Sequence, residues 1–195
     1  MTAPDVEPLR HLPPTFQYRD ARAVMNERRF RDLIAHSAVI RLSRGLYRKA
    51  DAPDGDEDLF TIAGLRPRAT LCLRSALARH HLIDDIPADL DIALPRGSRT
   101  PVIDIPVTWH QFAIPTFELG RTIIRLDEST SIGLYSPERS IVDAFRLRAT
   151  EGPELGHEAL RRWLRTGGQP STLVQMAAEF RKANPALRHA LQVLL

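Results

Sequence analysis

Residues 26–49 read NERRFRDLIAHSAVIRLSRGLYRK, and this stretch decides the predicted fold of the amino-terminal part of the chain. Asn26 is a good N-cap, and Glu27 suits the first helical turn because it lies at the positive end of the helix dipole. Apolar residues follow at the i, i+3, i+4 spacing of a buried helical stripe: Phe30, Leu33 and Ile34. The pattern therefore predicts an amphipathic helix over residues 27–36.

The segments on either side of this helix complete a recognisable order of elements. A shorter helix is predicted before it, over residues 19–25. Two short strands and a tight turn are predicted after it: Val39–Ser43, Arg44-Gly45 and Leu46–Lys49. Helix, turn, helix and hairpin form a winged helix-turn-helix, whose second helix enters the DNA major groove. The sequence thus predicts a winged helix-turn-helix DNA-binding domain over residues 1–50.

Arginines supply the candidate DNA contacts of this domain. A guanidinium can donate two hydrogen bonds to guanine O6 and N7, and it can also lie along phosphates or enter the minor groove. The candidates are three arginines of the second helix and three of the hairpin: Arg28, Arg29, Arg31, Arg41, Arg44 and Arg48. The alternative is an arginine-rich solvated helix on a different kind of domain, because short helix-turn-helix patterns recur by chance.

The charges of the chain are unevenly distributed. Residues 1–50 carry ten Lys and Arg against five Asp and Glu, residues 51–110 carry six against ten, and residues 111–195 carry eleven against nine. The overall net charge of +3 is too small to identify a partner. A basic head on a nearly neutral body nevertheless indicates that the amino-terminal module meets a polyanion.

The composition excludes several classes of protein. Hydrophobic residues make up 43% and charged residues 26%, which is typical of a globular chain. The one cysteine, Cys72, rules out an internal disulfide framework and a cysteine-rich zinc finger. No apolar run approaches the length that spans a bilayer, and the first residues do not resemble a signal peptide. We therefore expect a cytoplasmic protein with no membrane partner.

The acidic, proline-containing residues 50–58 predict a linker before a second domain over residues 56–195. This domain is predicted to be mixed α/β with a helical tail, so that the whole chain belongs to the α+β class. Strands are predicted at 70–73, with a helix entry as the alternative, and at 89–94, 102–108, 112–115 and 116–125. Helices are predicted at 59–65, 73–81, from Ser136 onward, and at 154–166, 171–184 and 186–194.

Motifs for catalysis, metals and cofactors are weak in this sequence. It has no phosphate-binding glycine loop, no HExxH pair and no kinase signature, and we predict no metal and no cofactor. The histidine pair His80-His81 is interpreted as a solvated helix end, because adjacent helical side chains point in different directions. Arg96 and Arg99 flank a glycine in the turn at 95–99 and are candidates for binding phosphate. A solvated β-turn is the favoured interpretation of that turn.

Three segments, taken in order, resemble one bacterial family. They read VIRLSRGLY at 39–47, DIALPR at 91–96 and YSPERSIVD at 135–143. In order and spacing they are similar to the AbiEi antitoxins of toxin–antitoxin operons, over roughly residues 16–148. The resemblance implies a winged helix that binds the operator DNA of its own operon. It also implies a second domain that neutralises a nucleotidyltransferase-like toxin, by transient contact or indirectly.

Two other functions remain open from the sequence. The first is an atypical kinase-like antitoxin, a phosphotransferase acting on the toxin, although the chain has no kinase motif. The second is a transcription factor whose second domain senses a ligand. The leading expectation is an antitoxin and repressor that is not an enzyme.

Overall fold

The computed structural model describes residues 6–180 and 183–194, which form a mixed α+β fold, as predicted. The chain divides into two compact units. The first comprises Met1–Ala69, Pro101–Ile105 and Ile123–Ile132. The second comprises Thr70–Thr100, Pro106–Thr122 and Gly133–Leu195. The predicted boundary at residues 50–58 stays a prediction, and the first unit includes these residues together with two segments from later in the chain.

Short helices and an antiparallel sheet make up the amino-terminal part of the first unit. The elements are a 3-10 turn (Glu7–His11), β1 (Thr15–Gln17), α1 (Tyr18–Val24), α2 (Glu27–Ala35), β2 (Val39–Ser43), β3 (Leu46–Lys49) and α3 (Glu57–Leu65). The strand order is β1-β3-β2. The structure confirms both predicted helices to within two residues at each end, and it confirms both hairpin strands. Strand β1 was not predicted; it pairs antiparallel with β3, with Phe16 opposite Tyr47.

Aromatic rings close the core of the first unit. Phe30 of α2 contacts Tyr47 edge-on at 4.9 Å and Phe16 at 6.5 Å, measured between ring centroids. Leu33 and Val39 are buried with them. Because Phe30 and Leu33 lie on the predicted apolar stripe, the inward face of α2 is the one that the sequence predicted.

The elements after Ala69 alternate between strands and helices. They are β4 (Thr70–Leu71), α4 (Leu73–Arg79), β5 (Leu90–Pro95), β6 (Val107–Phe112), α5 (Ile114–Phe117), β7 (Arg121–Arg125), β8 (Ser131–Tyr135), α6 (Pro137–Arg146), α7 (Arg148–Glu151), α8 (Pro153–Arg165), α9 (Pro170–Ala178) and α10 (Asn184–Leu194). The strands form one sheet in the order β6-β5-β4-β8-β7. Strand β4 pairs antiparallel with β5 and parallel with β8, and β5 pairs parallel with β6.

Residues 102–135 are where the predicted elements differ most from the structure. The strand predicted at 102–108 begins only at Val107, and the strand predicted at 112–115 is replaced by the end of β6 and the start of α5. Pro115 occupies the first turn of α5, where a proline costs no hydrogen bond. Strand β8 was not predicted, although four of its five residues are buried.

The YSPERSIVD segment forms the end of β8 and most of α6. Ser136, where the sequence predicted the helix to begin, caps α6 by accepting a hydrogen bond from the Arg139 amide, and Pro137 follows in the first turn. Nε of Arg139 donates to Oδ2 of Asp143 at 2.9 Å, and both side chains are 0% exposed. Nε of Arg146 donates to the other oxygen of Asp143 at 3.0 Å. The segment is therefore a capped helix carrying a buried ion pair.

The rest of the second unit packs its helices around this segment. Ile141, Phe145 and Trp163 share one buried cluster with residues of α4, α9 and α10.

None of the helices within residues 6–180 and 183–194 combines the length with the apolar character that crossing a bilayer requires.

Candidate nucleic-acid interface

Helix α2 is bounded by local sequence signals. The Asn26 side chain caps it by accepting a hydrogen bond from the Arg29 amide at 2.9 Å. The helix ends at Ala35, and Ser37 then adopts a left-handed backbone with a φ of 55°. The Ala38 amide donates back to the Leu33 carbonyl at 2.9 Å, which closes the turn into β2. The helix is therefore fixed at both ends.

The outward side of α2 presents two of the three arginines that the sequence singled out. Arg28 and Arg31 are exposed, whereas Arg29 is partly buried. Asp32 is exposed on the same helix, 3.3 Å from the His36 ring, so the surface is not uniformly basic. Arg28 and Arg31 are the positions from which α2 can reach base edges in a groove.

One carboxylate joins α1 to α2. Glu27 accepts a hydrogen bond from the Tyr18 hydroxyl and another, of 2.9 Å, from Nε of Arg31. Nε of Arg22 lies 3.7 Å from the same carboxylate. The hydrogen bond from Tyr18 outweighs desolvation and, together with Arg31, lowers the pKa of Glu27. The group is therefore ionised at neutral pH.

The hairpin carries two exposed arginines. Arg41 lies on β2, and Arg44 occupies the turn. Gly45 has a φ of 79°, which the tight turn requires and which other residues rarely adopt. The Tyr18 amide donates to the Gly45 carbonyl at 2.8 Å, so the hairpin tip is hydrogen-bonded to the start of α1.

Arg48, the sixth candidate DNA contact, lies in the interior, so the structure contradicts its prediction as a DNA contact. It is 5% exposed, and its guanidinium stacks on the Phe60 ring at 3.6 Å from the ring centre. It donates to Asp127 at 2.7 Å, to Thr15 at 2.8 Å and to the Pro53 carbonyl at 2.6 Å. These contacts leave it no access to a phosphate. Alternation along β3 places Arg48 on the inward face with Leu46, and that spacing could have identified it.

The turn at residues 95–99 is a β-turn after β5. The Ser98 amide donates to the Pro95 carbonyl at 3.0 Å, and Gly97 has a φ of 87°. Arg96 and Arg99 are both exposed. The structure places them in the second unit, which contains none of the arginines of α2 and the hairpin. Phosphate binding at this turn stays a prediction.

Other candidate groups have structural partners. His80 contacts the Tyr135 carbonyl through Nε2 at 2.8 Å. Cys72 is fully buried, and burial raises the pKa of its thiol well above the ordinary value. Within the described ranges, no three His, Cys, Asp or Glu side chains are grouped as a metal site requires.

Comparison with known proteins adds information on the fold. No family model and no curated protein matches the sequence. Among solved structures, the RV2827C protein from Mycobacterium tuberculosis is similar. It superposes with a TM-score of 0.51 over 95% of this chain and 77% of its own, at 18% sequence identity. At this identity the similarity shows a shared fold, and a shared fold does not fix a function.

Proposed function

We propose that the protein is a cytoplasmic DNA-binding antitoxin that represses its own operon and opposes a nucleotidyltransferase-like toxin. The DNA-binding part is supported by four exposed arginines on a helix–turn–helix–hairpin segment: Arg28, Arg31, Arg41 and Arg44. The inward side of the same segment is closed by an aromatic core. The antitoxin part is supported by the resemblance of three sequence segments to AbiEi antitoxins.

The observation that carries the proposal is the division of α2 into two faces. Phe30 and Leu33 are buried, whereas Arg28 and Arg31 point to solvent from a helix that is capped and tied to its neighbours. A helix held in this way can enter the major groove without first being ordered, and it brings two guanidinium groups to the base edges.

DNA binding is tested by selecting duplexes from a randomised pool with the full chain and measuring their affinity. Arg28→Ala is expected to weaken binding by about 1–3 kcal/mol, because it removes a groove contact. Arg44→Ala is expected to weaken binding of all sequences similarly. It is also expected to reduce the slope of log affinity against log salt concentration by about one, because one phosphate contact is lost. The matched control is Arg79→Ala, an exposed arginine of the second unit. Equal affinities in all three variants and the wild type would exclude this surface.

The antitoxin function predicts a gene for a nucleotidyltransferase-like toxin beside this one, and it is tested by co-expressing the two proteins. We expect toxin-dependent growth arrest to be relieved, with no stable complex on a sizing column. Weighing the purified toxin after mixing it with antitoxin and nucleotide separates indirect action from modification. A gain of one phosphate mass that is lost in the Arg96→Ala/Arg99→Ala variant would assign the turn at 95–99 a role in phosphotransfer. Failure to relieve the arrest would contradict the antitoxin proposal.

A further inference from the structure

The carboxylate of Glu27 is itself held in place by the core. It accepts a hydrogen bond from the Tyr18 hydroxyl, and the Tyr18 ring packs edge-on against Phe30 at 5.6 Å between centroids. Phe30 is 1% exposed. The Tyr18 ring, itself 38% exposed, therefore links Glu27 to a buried side chain, and this link restrains the carboxylate more than mobile surface ion pairs alone would.

Glu27 in turn fixes one side of the Arg31 guanidinium. Nε of Arg31 donates to Glu27 at 2.9 Å, while the Arg31 side chain remains 77% exposed. A guanidinium has five N–H donors in a rigid plane, so a bond at Nε sets the direction of the two terminal nitrogens. Those nitrogens form the edge that binds guanine O6 and N7 in parallel.

Arg28 lies on the same helix without such support. It is exposed, and its guanidinium makes no hydrogen bond or ion pair with the part of the chain that the structure describes. A side chain of this kind must lose its rotamer freedom on binding, whereas Arg31 has already lost part of it. The two exposed arginines of α2 therefore differ in how well they are oriented before DNA arrives.

We propose that Arg31 is the specificity-determining residue of α2, that it reads one guanine, and that Glu27, held by Tyr18, is its positioning residue. Arg28 reaches the same groove without a side chain that orients it, so it contributes affinity with a weaker base preference than Arg31. This inference rests on the proposed DNA binding. It goes beyond that proposal by assigning base selection to Arg31 and the orientation of Arg31 to Glu27 and Tyr18.

The experiment selects binding sites from the same randomised duplex pool with the full wild-type chain and with variants. Arg31→Ala and Arg31→Lys are both expected to lose preference at one guanine position, by roughly 5- to 150-fold, because lysine keeps the charge but lacks the planar fork. Glu27→Ala and Tyr18→Phe are expected to weaken preference at that same position and at no other. Arg79→Lys, an exposed arginine of the second unit, is the matched control and is expected to keep the wild-type preference.

A double variant separates positioning from general structural damage. Once Arg31 is alanine, adding Glu27→Ala is expected to cause no further loss at the guanine position, because the group that Glu27 orients is gone. Circular dichroism melts confirm that each variant is folded. The inference is overturned if Arg31→Lys keeps the wild-type preference, or if Glu27→Ala acts at a different position. Absence of any enriched sequence with the wild-type chain would instead contradict the proposed DNA binding.

Discussion

The segments VIRLSRGLY at 39–47 and YSPERSIVD at 135–143 use arginine in opposite ways. In VIRLSRGLY, Arg41 and Arg44 are exposed on β2 and the hairpin turn. In YSPERSIVD, Arg139 is 0% exposed and paired with an equally buried Asp143. The arginines of the first segment therefore belong to a surface, whereas Arg139 of the second belongs to a core. A conspicuous arginine in a sequence is not for that reason a binding residue.

The difference follows from what surrounds each arginine. Arg139 donates to the carbonyls of Thr116 and Leu119 at 2.6 and 2.7 Å, and its guanidinium lies 4.2 Å from the centre of the Tyr135 ring. Every one of these groups would lose a partner if the arginine left. Arg41 and Arg44 have solvent on one side, so removing either of them costs the fold little.

Removing the buried carboxylate is the strongest way to test this contrast. Asp143→Ala is expected to lower the free energy of unfolding by about 3–5 kcal/mol, because it leaves Arg139 buried without its counter-ion. Denaturation followed by the fluorescence of Trp109 and Trp163 measures it. Arg41→Ala, the exposed counterpart, is expected to change stability by less than about 0.5 kcal/mol.

A paired replacement supplies the control for this prediction. Changing Arg139 to Met together with Asp143 to Leu removes both charges, and it is expected to restore much of the loss, since a well-packed apolar pair can match a buried ion pair. An Asp143→Ala variant as stable as the wild type would show that Asp143 contributes no net stabilisation.

Arg48, unlike Arg41 and Arg44 of the same hairpin, is buried. Replacing its partner Asp127 tests whether the ion pair stabilises the first unit. Asp127→Asn is expected to destabilise the unit by about 1.5–3 kcal/mol, because the buried guanidinium loses its charged acceptor. Burial opposes the charge of Asp127, but hydrogen bonds from Arg48 and the Ser129 and Thr130 amides outweigh it and lower the pKa of this carboxyl. Hydrogen exchange of peptides covering residues 39–49 measures the loss locally.

The depressed pKa gives this prediction a pH dependence. A carboxyl with a lower pKa in the folded state stabilises the protein above its unfolded-state value of about 4, and the stabilisation disappears as the pH falls through the folded-state value. The difference in protection between wild type and Asp127→Asn should therefore shrink in acid. A difference that stays constant with pH would mean that the loss is one of packing and not of charge.

A smaller loss of stability than that of Asp127→Asn is expected at Gly45, in the turn between the exposed arginines and buried Arg48. Gly45→Ala is expected to cost about 1 kcal/mol, because its φ of 79° is unfavourable for a residue with a Cβ. A Cβ there would meet nothing within 4 Å, so the loss is conformational and not steric. Gly45→Asn should cost less, since asparagine tolerates this backbone. Equal thermal melts for the alanine and asparagine variants would argue against that explanation.

The sequence predicted those elements whose signals are local. Asn26, the stripe ending at Ile34 and the Arg44-Gly45 turn were sufficient for α2 and the hairpin. Strand β1 has three residues and follows two prolines, and it exists because β3 offers it a partner. Strand β8 likewise depends on pairing with β4. Pairing between distant segments is not encoded in the spacing of either one.

The candidate site was likewise predictable only where its signals are local. Exposure of Arg28 and Arg31 follows from helical periodicity, and exposure of Arg44 follows from its place in the turn. Arg41 has the same strand parity as buried Val39, so alternation along β2 does not predict its exposure. The roles of Arg48 and Arg139 depend on carboxylates and rings that fold onto them. For Arg48 the carboxylate lies 79 residues away along the chain. Alternation with Leu46 indicates that Arg48 faces inward, but the basic run does not indicate which carboxylate will pair with it.

That separation along the chain has a consequence for synthesis. At about 5–20 residues per second, roughly 4–16 s pass on the ribosome between the addition of Arg48 and that of Asp127. The hairpin emerges during that interval, while Arg48 still lacks its counter-ion Asp127. Chains whose synthesis stops before residue 127 would therefore carry the exposed arginines of α2 and the hairpin but lack the carboxylate that binds Arg48 of β3.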